Sequence, residues 1–275
     1  MARVAAVGFI VINAVFNLTG DSFNFVHRFH SLRYIFYKQF SIIQGESMSL
    51  FAIADTHLSF GTNKPMDTFS GWENYTEKLK NNWNKIVSPR DTVVVAGDIS
   101  WAMDFDELEA DFRFLDSLNG NKIILKGNHD YWWNTMTKMN KFLAEKGFET
   151  IKILHNNSFD CGGVSVCGSR GWLFESEEEH DEKVLNRELI RIKASLDSAQ
   201  CEEKLVFLHY PPLTMNTECE EIISLLNEYG IKKCYYGHLH GEAAKYAVDG
   251  ERYGINFRLI SCDRLGFMPY LILKY

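Results

Sequence analysis

The chain has 275 residues, 46% hydrophobic and 24% charged, the balance of a folded globular protein and not of a disordered or fibrous one. Its formal net charge of −7 opposes long-range attraction to nucleic acid and argues against a long duplex as partner. The six cysteines (Cys161, Cys167, Cys201, Cys219, Cys234, Cys262) form no Cys-x-x-Cys pair, and a chain of this size buries a core without staples, so reduced thiols in a cytoplasmic setting are expected.

Residues 1–47 differ from the rest. They carry four basic residues (Arg3, Arg28, Arg33, Lys38) and two acids (Asp21, Glu46), a net charge of +2 that leaves −9 for residues 48–275. Val4 to Leu18 is mostly apolar but shorter than the ~20 residues of a membrane span, and Asn13 and Asn17 interrupt it. Arg3 before an apolar run is compatible with a targeting signal, yet no convincing small-x-small cleavage site follows. A third reading is preferred. Gln44-Gly45-Glu46 can be encoded by codons that contain a bacterial ribosome-binding sequence at a suitable distance before Met48. Met48 is then the expected true start and residues 1–47 a translated upstream leader; a membrane-targeting signal and a genuine extra element stay open.

From Met48 on, short apolar runs alternate with helical patterns. Leu50–Ala54 reads as a buried strand ending in Asp55, and Thr76–Val87 as a helix closed by Pro89. Thr92–Ala96 is a second strand, ending in Gly97-Asp98. Asp106–Leu118 is an amphipathic helix stopped by Asn119-Gly120. Lys122–Leu125 is a third strand, ending in Gly127-Asn128-His129-Asp130. Met136–Lys146 is helical with Gly147 as C-cap. Strands at Ile151–Leu154, Ser158–Asp160 and Val164–Cys167 are separated by Asn-Asn and Gly-Gly turns. The acidic stretch Glu175–Glu182 leads into a helix from about Lys183 to Ser198. Lys204–Leu208 is a strand ending at His209, Cys219–Tyr229 a helix, and Lys233–Tyr236 a strand ending at Gly237-His238-Leu239-His240. The tail, Lys245 to Tyr275, is strand-rich. No linker divides residues 48–275.

Five strands thus end in residues of metal-ligand type: Asp55-x-His57, Asp98, Asn128-His129-Asp130, His209 and His238-x-His240. In α/β sheets, sites collect at the carboxyl ends of strands. The glycines before Asp98, Asn128 and His238 permit close backbone approach. Imidazole suits zinc, iron and manganese, while carboxylate and amide oxygen suit harder ions. A carboxylate can bridge two ions, and two metals ~3.5–4 Å apart stabilise both the attacking and the leaving oxygen of a phosphoryl displacement and acidify a bound water.

Asp55-x-His57, Gly97-Asp98, Gly127-Asn128-His129-Asp130, His209 and Gly237-His238-x-His240, in that order, resemble the complete signature of the calcineurin-like metallophosphoesterases. The resemblance covers essentially all of residues 48–275. It implies a four-layer αββα sandwich, two mixed β-sheets flanked by helices. It implies two divalent ions, of manganese, iron, zinc or nickel, with manganese or iron favoured. Asp55, His57 and His240 would hold one ion, Asn128, His209 and His238 the other, and Asp98 would bridge them. His129, not a ligand, would stand at the leaving oxygen as general acid or charge stabiliser, and Asp130 would be the carboxylate that orients its imidazole.

Other residues read differently. His155 precedes an Asn-Asn turn and reads as solvated, and His180, among acids, as a helix-start charge partner. Arg170, after a strand, either offers a guanidinium to phosphate or makes a structural salt bridge. Tyr131, Trp132 and Trp133, and likewise Trp101, either wall a pocket or pack in the core.

Departures from the family narrow the branch. Ile99-Ser100-Trp101-Ala102 follows Asp98 where protein phosphatases carry Asp-Arg-Gly, and the acidic balance opposes the DNA-repair exonucleases. Lys126 and Trp132-Trp133 look like uncharacterised bacterial members. The expected substrate is a small phosphomonoester or phosphodiester, with no membrane partner. A nuclease acting on short or single-stranded nucleic acid and a non-catalytic metal-bound scaffold are the alternatives.

Overall fold

The computed structural model describes residues 48–172 and 182–275. The upstream leader expected at 1–47, His180 and most of the acidic stretch lie outside the described residues.

The first sheet contains β1 (Ser49–Ile53), β2 (Thr92–Ala96), β3 (Asn121–Leu125) and β4 (Ile151–Ile153), all parallel. The second contains β5 (Phe159–Cys161), β6 (Val164–Ser169), β7 (Glu203–Leu208), β8 (Lys233–Tyr236), β9 (Gly250–Arg252) and β10 (Ile255–Leu259). Of these β6, β7, β8 and β10 run parallel, with β5 and β9 antiparallel at the two edges, in the order β5-β6-β7-β8-β10-β9. The last strand, β11 (Tyr270–Lys274), returns to pair antiparallel with β1, which gives the first sheet the order β11-β1-β2-β3-β4.

The parallel strands are near-continuous apolar runs because both faces of each sheet are covered. Side chains alternate between two cores. Leu50, Ala52, Val94 and Ile123 meet Val166, Leu205 and Phe207 between the sheets. Phe51, Ile53, Val93 and Val95 point to the other face, against α1 (Tyr75–Ile86), α2 (Phe105–Ser117) and α3 (Met136–Lys146). Val206, Leu208, Cys234 and Tyr236 pack against α4 (Glu182–Asp197) and α5 (Glu220–Glu228). The result is the four-layer αββα sandwich expected above.

Local chemistry fixes the helix ends. The Asp104 carboxylate accepts the amides of Asp106 and Glu107, both at 3.0 Å, and so caps α2. Gly147 closes α3 in the left-handed region at φ 71°. At the end of α2, Lys122 is fully buried and its ammonium donates to the carbonyls of Leu118 (2.5 Å), Gly120 (2.9 Å) and Asp116 (3.2 Å). No described cysteine is paired in a disulfide. No helix among the described residues is long and apolar enough to cross a membrane.

Candidate metal centre

The carboxyl ends of β1, β2, β3, β7 and β8 meet at one edge of the sandwich. Backbone hydrogen bonds lace their loops together: the Asp55 amide donates to Gly97 O (3.0 Å), the His57 amide to Asp98 O (3.0 Å) and the Gly237 amide to His209 O (3.1 Å). Asp55, His57, Asp98 and His238 have φ of 58°, 42°, 49° and 70°, left-handed conformations that strain a residue with a side chain. Such strain clusters at functional sites and costs roughly 1–3 kcal/mol each, so surrounding structure must impose it. Glycine permits the approach. A Cβ on Gly127 would fall 2.1 Å from Asp98 Oδ1, and one on Gly97 2.6 Å from His209 Nδ1.

Two groups of ligand atoms result, each drawn together within 4.8 Å: Asp55, His57 and Asp98, and Asp98, His209 and His238. Asp98 belongs to both. Asn128 joins the second group, its Oδ1 lying 2.7 Å from His209 Nε2 and 3.0 Å from His238 Nδ1. His209 Nδ1 sits 3.1 Å from Ala96 O. A proton on that nitrogen leaves the Nε2 lone pair facing the centre, as in many metal-bound histidines. His240 lies beside His57, ring centroids 5.2 Å apart, outside the two tight groups.

The electrostatics suit cations. Burial, and after it the neighbouring histidines, pushes His57 down to about 3 against the pull of Asp98. Burial and His209 do the same to His238, also to about 3, and burial lowers His209. Neutral imidazoles with free lone pairs are the form a metal requires. Burial opposes the charge of Asp98, but His209 and His57 hold its carboxyl below the usual range, while burial and Asp98 raise Asp55. Both ring nitrogens of His57 are buried without a hydrogen-bond partner among the described residues, in a ring only 1% exposed. A buried imidazole so placed needs a partner, and a metal ion fits this donor set.

His129 is half-buried at the rim. Its amide donates to Asp98 Oδ1 (2.8 Å) and its Nδ1 lies 3.3 Å from the Tyr131 hydroxyl. The described hydrogen bonds of Asp130 go to the backbone and to an indole, with none to the His129 imidazole. Its Oδ1 accepts from the amides of Ile99 (2.9 Å) and Ser100 (3.3 Å) and from the Trp132 indole (3.2 Å), and its Oδ2 from the Gly127 amide (2.7 Å). These donors occupy the carboxylate, so Asp130 clamps the β2 and β3 loops together, while the Tyr131 hydroxyl is the described partner of the His129 ring.

Trp132 is 2% exposed and belongs to the core, while Tyr131 is 52% exposed beside His129. Trp101 stacks on His57 at 4.8 Å. The Arg170 guanidinium lies 3.6 Å from buried Glu188, while its carbonyl accepts the amides of His209 (3.1 Å) and Tyr210 (2.8 Å). Two participants carry no sequence signal. Trp72 packs 6.0 Å from His57, and the Cys262 thiol donates to Asp55 O at 2.9 Å. Each stands in a loop without a motif and reaches the site only through the tertiary fold.

A match to the family described as calcineurin-like phosphoesterase spans residues 48–242, all five motifs included. The chain belongs to the calcineurin-like phosphoesterase family. Its fold is similar to that of phosphopantetheinyl hydrolase from Mycobacterium tuberculosis, with 16% identity, 83% of this chain and 97% of that chain covered, and a TM-score of 0.51. A protein of unknown function from Aquifex aeolicus aligns at 16% identity over 82% of this chain and 95% of that one, with a TM-score of 0.47. Uncharacterized protein MJ1445 of Methanocaldococcus jannaschii is 30% identical over 86 residues, 30% of this chain, and the match spans 46% of that relative's length.

Proposed function

We propose that this calcineurin-like phosphoesterase hydrolyses a small phosphomonoester or phosphodiester with two divalent ions, one beside Asp55 and His57 with His240 adjoining, the other among Asn128, His209 and His238. The observation that carries the reading is Asp98, whose carboxylate belongs to both ligand groups. Imidazole nitrogens mixed with carboxylate and amide oxygens suit manganese, iron or zinc, and the oxygen share favours manganese or iron. When bound, the ions would neutralise phosphoryl charge and acidify a water.

The chain's own groups supply the rest. Asp98 is fixed by the His129 amide on Oδ1, so the shared carboxylate is held before substrate arrives. His129 serves as general acid. A Tyr131 hydroxyl donating to Nδ1 leaves the imidazole proton on Nε2, the atom that can pass it to the leaving oxygen. Trp101, stacked on His57 and 4.5 Å from the His129 ring, excludes water and keeps both rings in place.

The test is hydrolysis of p-nitrophenyl phosphate and bis(p-nitrophenyl) phosphate by the manganese-loaded protein, with a short single-stranded oligonucleotide in parallel. Turnover of either nitrophenyl ester supports the reading and tells monoesterase from diesterase. Cleavage of the oligonucleotide alone makes the protein a nuclease, and no turnover with metal bound makes it a scaffold.

A further inference from the structure

Beside the metal centre lies a second cavity of about 90 Å³, lined by Lys126, Trp133, His155, Arg170, Glu188 and Arg191 among others. About 10–15 Å³ of such space accommodates one water-sized atom, so the cavity has room for a compact polyatomic group. It shares its walls with the centre. Lys126 precedes Asn128 by two residues, and the Arg170 carbonyl holds the amides of His209 and Tyr210. The Tyr210 ring lies 4.4 Å from His238 on one side and 6.0 Å from the Arg170 guanidinium on the other.

The lining is electrically unbalanced. Among the described residues three cations, Lys126, Arg170 and Arg191, face one carboxylate, Glu188, in a chain whose overall charge is −7. Glu188 is fully buried and already engaged: it pairs with Arg191, lies 3.6 Å from Arg170 and accepts the Ser169 hydroxyl at 2.6 Å. A purely structural ion network explains Glu188 and its two arginines. It leaves the Lys126 ammonium, which feels the charges of Asp130 and Glu188 but has no hydrogen-bond or ion-pair partner within reach among the described residues, and the buried Nε of Arg170, which has no hydrogen-bond partner there. His155 corrects the sequence expectation of a solvated residue. It is half-buried, 6.3 Å from Trp133, and burial and Arg191 hold its imidazole below the ordinary value, so a neutral ring N–H is at hand. Fork-shaped guanidinium donors and an ammonium lining one cavity are the chemistry that recognises a phosphate or carboxylate.

We propose that this cavity is a second anion subsite, which takes a compact oxyanion carried on the part of the substrate that is not cleaved. The proposal rests on the phosphoesterase reading and deepens it: the substrate class becomes phosphoesters with a further phosphate or carboxylate at a fixed distance from the scissile group.

Matched synthetic esters test it. The manganese-loaded full chain is assayed on n-alkyl phosphates, on α,ω-alkanediol bisphosphates and on ω-carboxyalkyl phosphates of graded chain length. At one length, kcat/KM for a two-anion ester should exceed that of its alkyl phosphate by about tenfold or more. The arm that shows the gain identifies the oxyanion as phosphate or carboxylate. In Lys126→Gln, whose side chain has no hydrogen-bond or ion-pair partner among the described residues, the ratio between matched esters should fall toward one. A second readout needs no turnover. Chelator-treated wild type titrated calorimetrically with methylphosphonate should bind it, and Lys126→Gln and Arg191→Gln should bind it more weakly. Circular dichroism checks that each variant is folded. Equal rates at every chain length, or equal losses on both members of a pair, would overturn the subsite while leaving the phosphoesterase reading intact. No turnover of any ester would count against that reading instead, and the methylphosphonate titration would then decide the subsite alone.

Discussion

The backbone amide of His129 donates to Oδ1 of Asp98 at 2.8 Å, so the residue read as the proton donor also fixes the carboxylate shared by both ligand groups. The two functions use different parts of one residue. Side-chain replacement can therefore remove the acid and keep the anchor.

His129→Ala should leave metal content close to wild type, because the amide contact survives. Loss of a general acid typically costs ~10²–10⁴-fold in rate. The loss should be small for p-nitrophenyl esters, whose leaving group needs little protonation, and large for alkyl esters. Metal analysis alongside rates on both ester types checks this. Stripped metals, or equal losses for good and poor leaving groups when chemistry limits the rate, would count against the assignment.

Asp130→Asn and Tyr131→Phe should separate along the line the structure draws. The carboxamide introduced by Asp130→Asn would put an NH₂ against donors that the carboxylate now accepts, at roughly 1–3 kcal/mol for each group left unsatisfied. Expected are a lower Tm, a looser centre and reduced metal occupancy, with all substrates slowed alike. Tyr131→Phe should keep stability and metal and slow only esters with poor leaving groups. Calorimetry and rates together distinguish the pair; an Asp130→Asn protein with normal Tm and metal content would restore Asp130 as the partner of the imidazole.

Much of this architecture is legible in the chain itself. The strands that carry the motifs can be placed within a residue or two, because a buried β-branched run ending in Gly-Asp or Gly-Asn-His constrains its own boundaries. The role of Asp130 is not legible, for a physical reason. The donors to its carboxylate from Ile99 and Ser100 stand about thirty residues away, on a loop that meets it only when β2 and β3 pair. The tail reads as strand-rich, but nothing in it tells that β11 leaves β10's sheet to lie antiparallel to β1, since pairing across the whole chain leaves no local pattern. Arg170 has two readings in the sequence, and its pair with Glu188 depends on α4 packing over β6, a contact that periodicity does not encode.

Lys122 offers a stability test away from the centre. Lys122→Met removes a buried charge but strands three carbonyl acceptors, two at the end of α2 and one in the following turn. The acceptors should win at neutral pH, with a net loss of about 1–3 kcal/mol. Burial lowers the Lys122 ammonium from 10.5 to about 8. A cation with a lowered folded pKa destabilises the fold while protonated, so its cost is full below about 8 and is lifted as pH rises from there through 10.5. The stability gap between wild type and Lys122→Met should therefore widen over that window, by up to ~3 kcal/mol. Denaturant unfolding at graded pH reads it; a gap that narrows over the same window would contradict the sign.

A chain beginning at Met48 should fold, bind metal and hydrolyse model esters as the longer chain does. All the candidate ligands lie after that residue, and Met48 already pairs with Tyr275, each amide donating to the other's carbonyl at 2.7 Å. An insoluble or inactive product beside an active full chain would assign residues 1–47 to the fold.

The shared carboxylate is the centre of the account, and metal stoichiometry tests it most directly. Manganese-supplemented wild type, freed of loose ions and assayed by elemental analysis, should hold about two ions per chain. Asp98→Asn keeps the shape and removes the charge, and should lower occupancy of both sites together, with hydrolysis of every ester falling in step. A wild-type protein without stoichiometric metal, or an Asp98→Asn protein that still binds two ions as tightly, would contradict it.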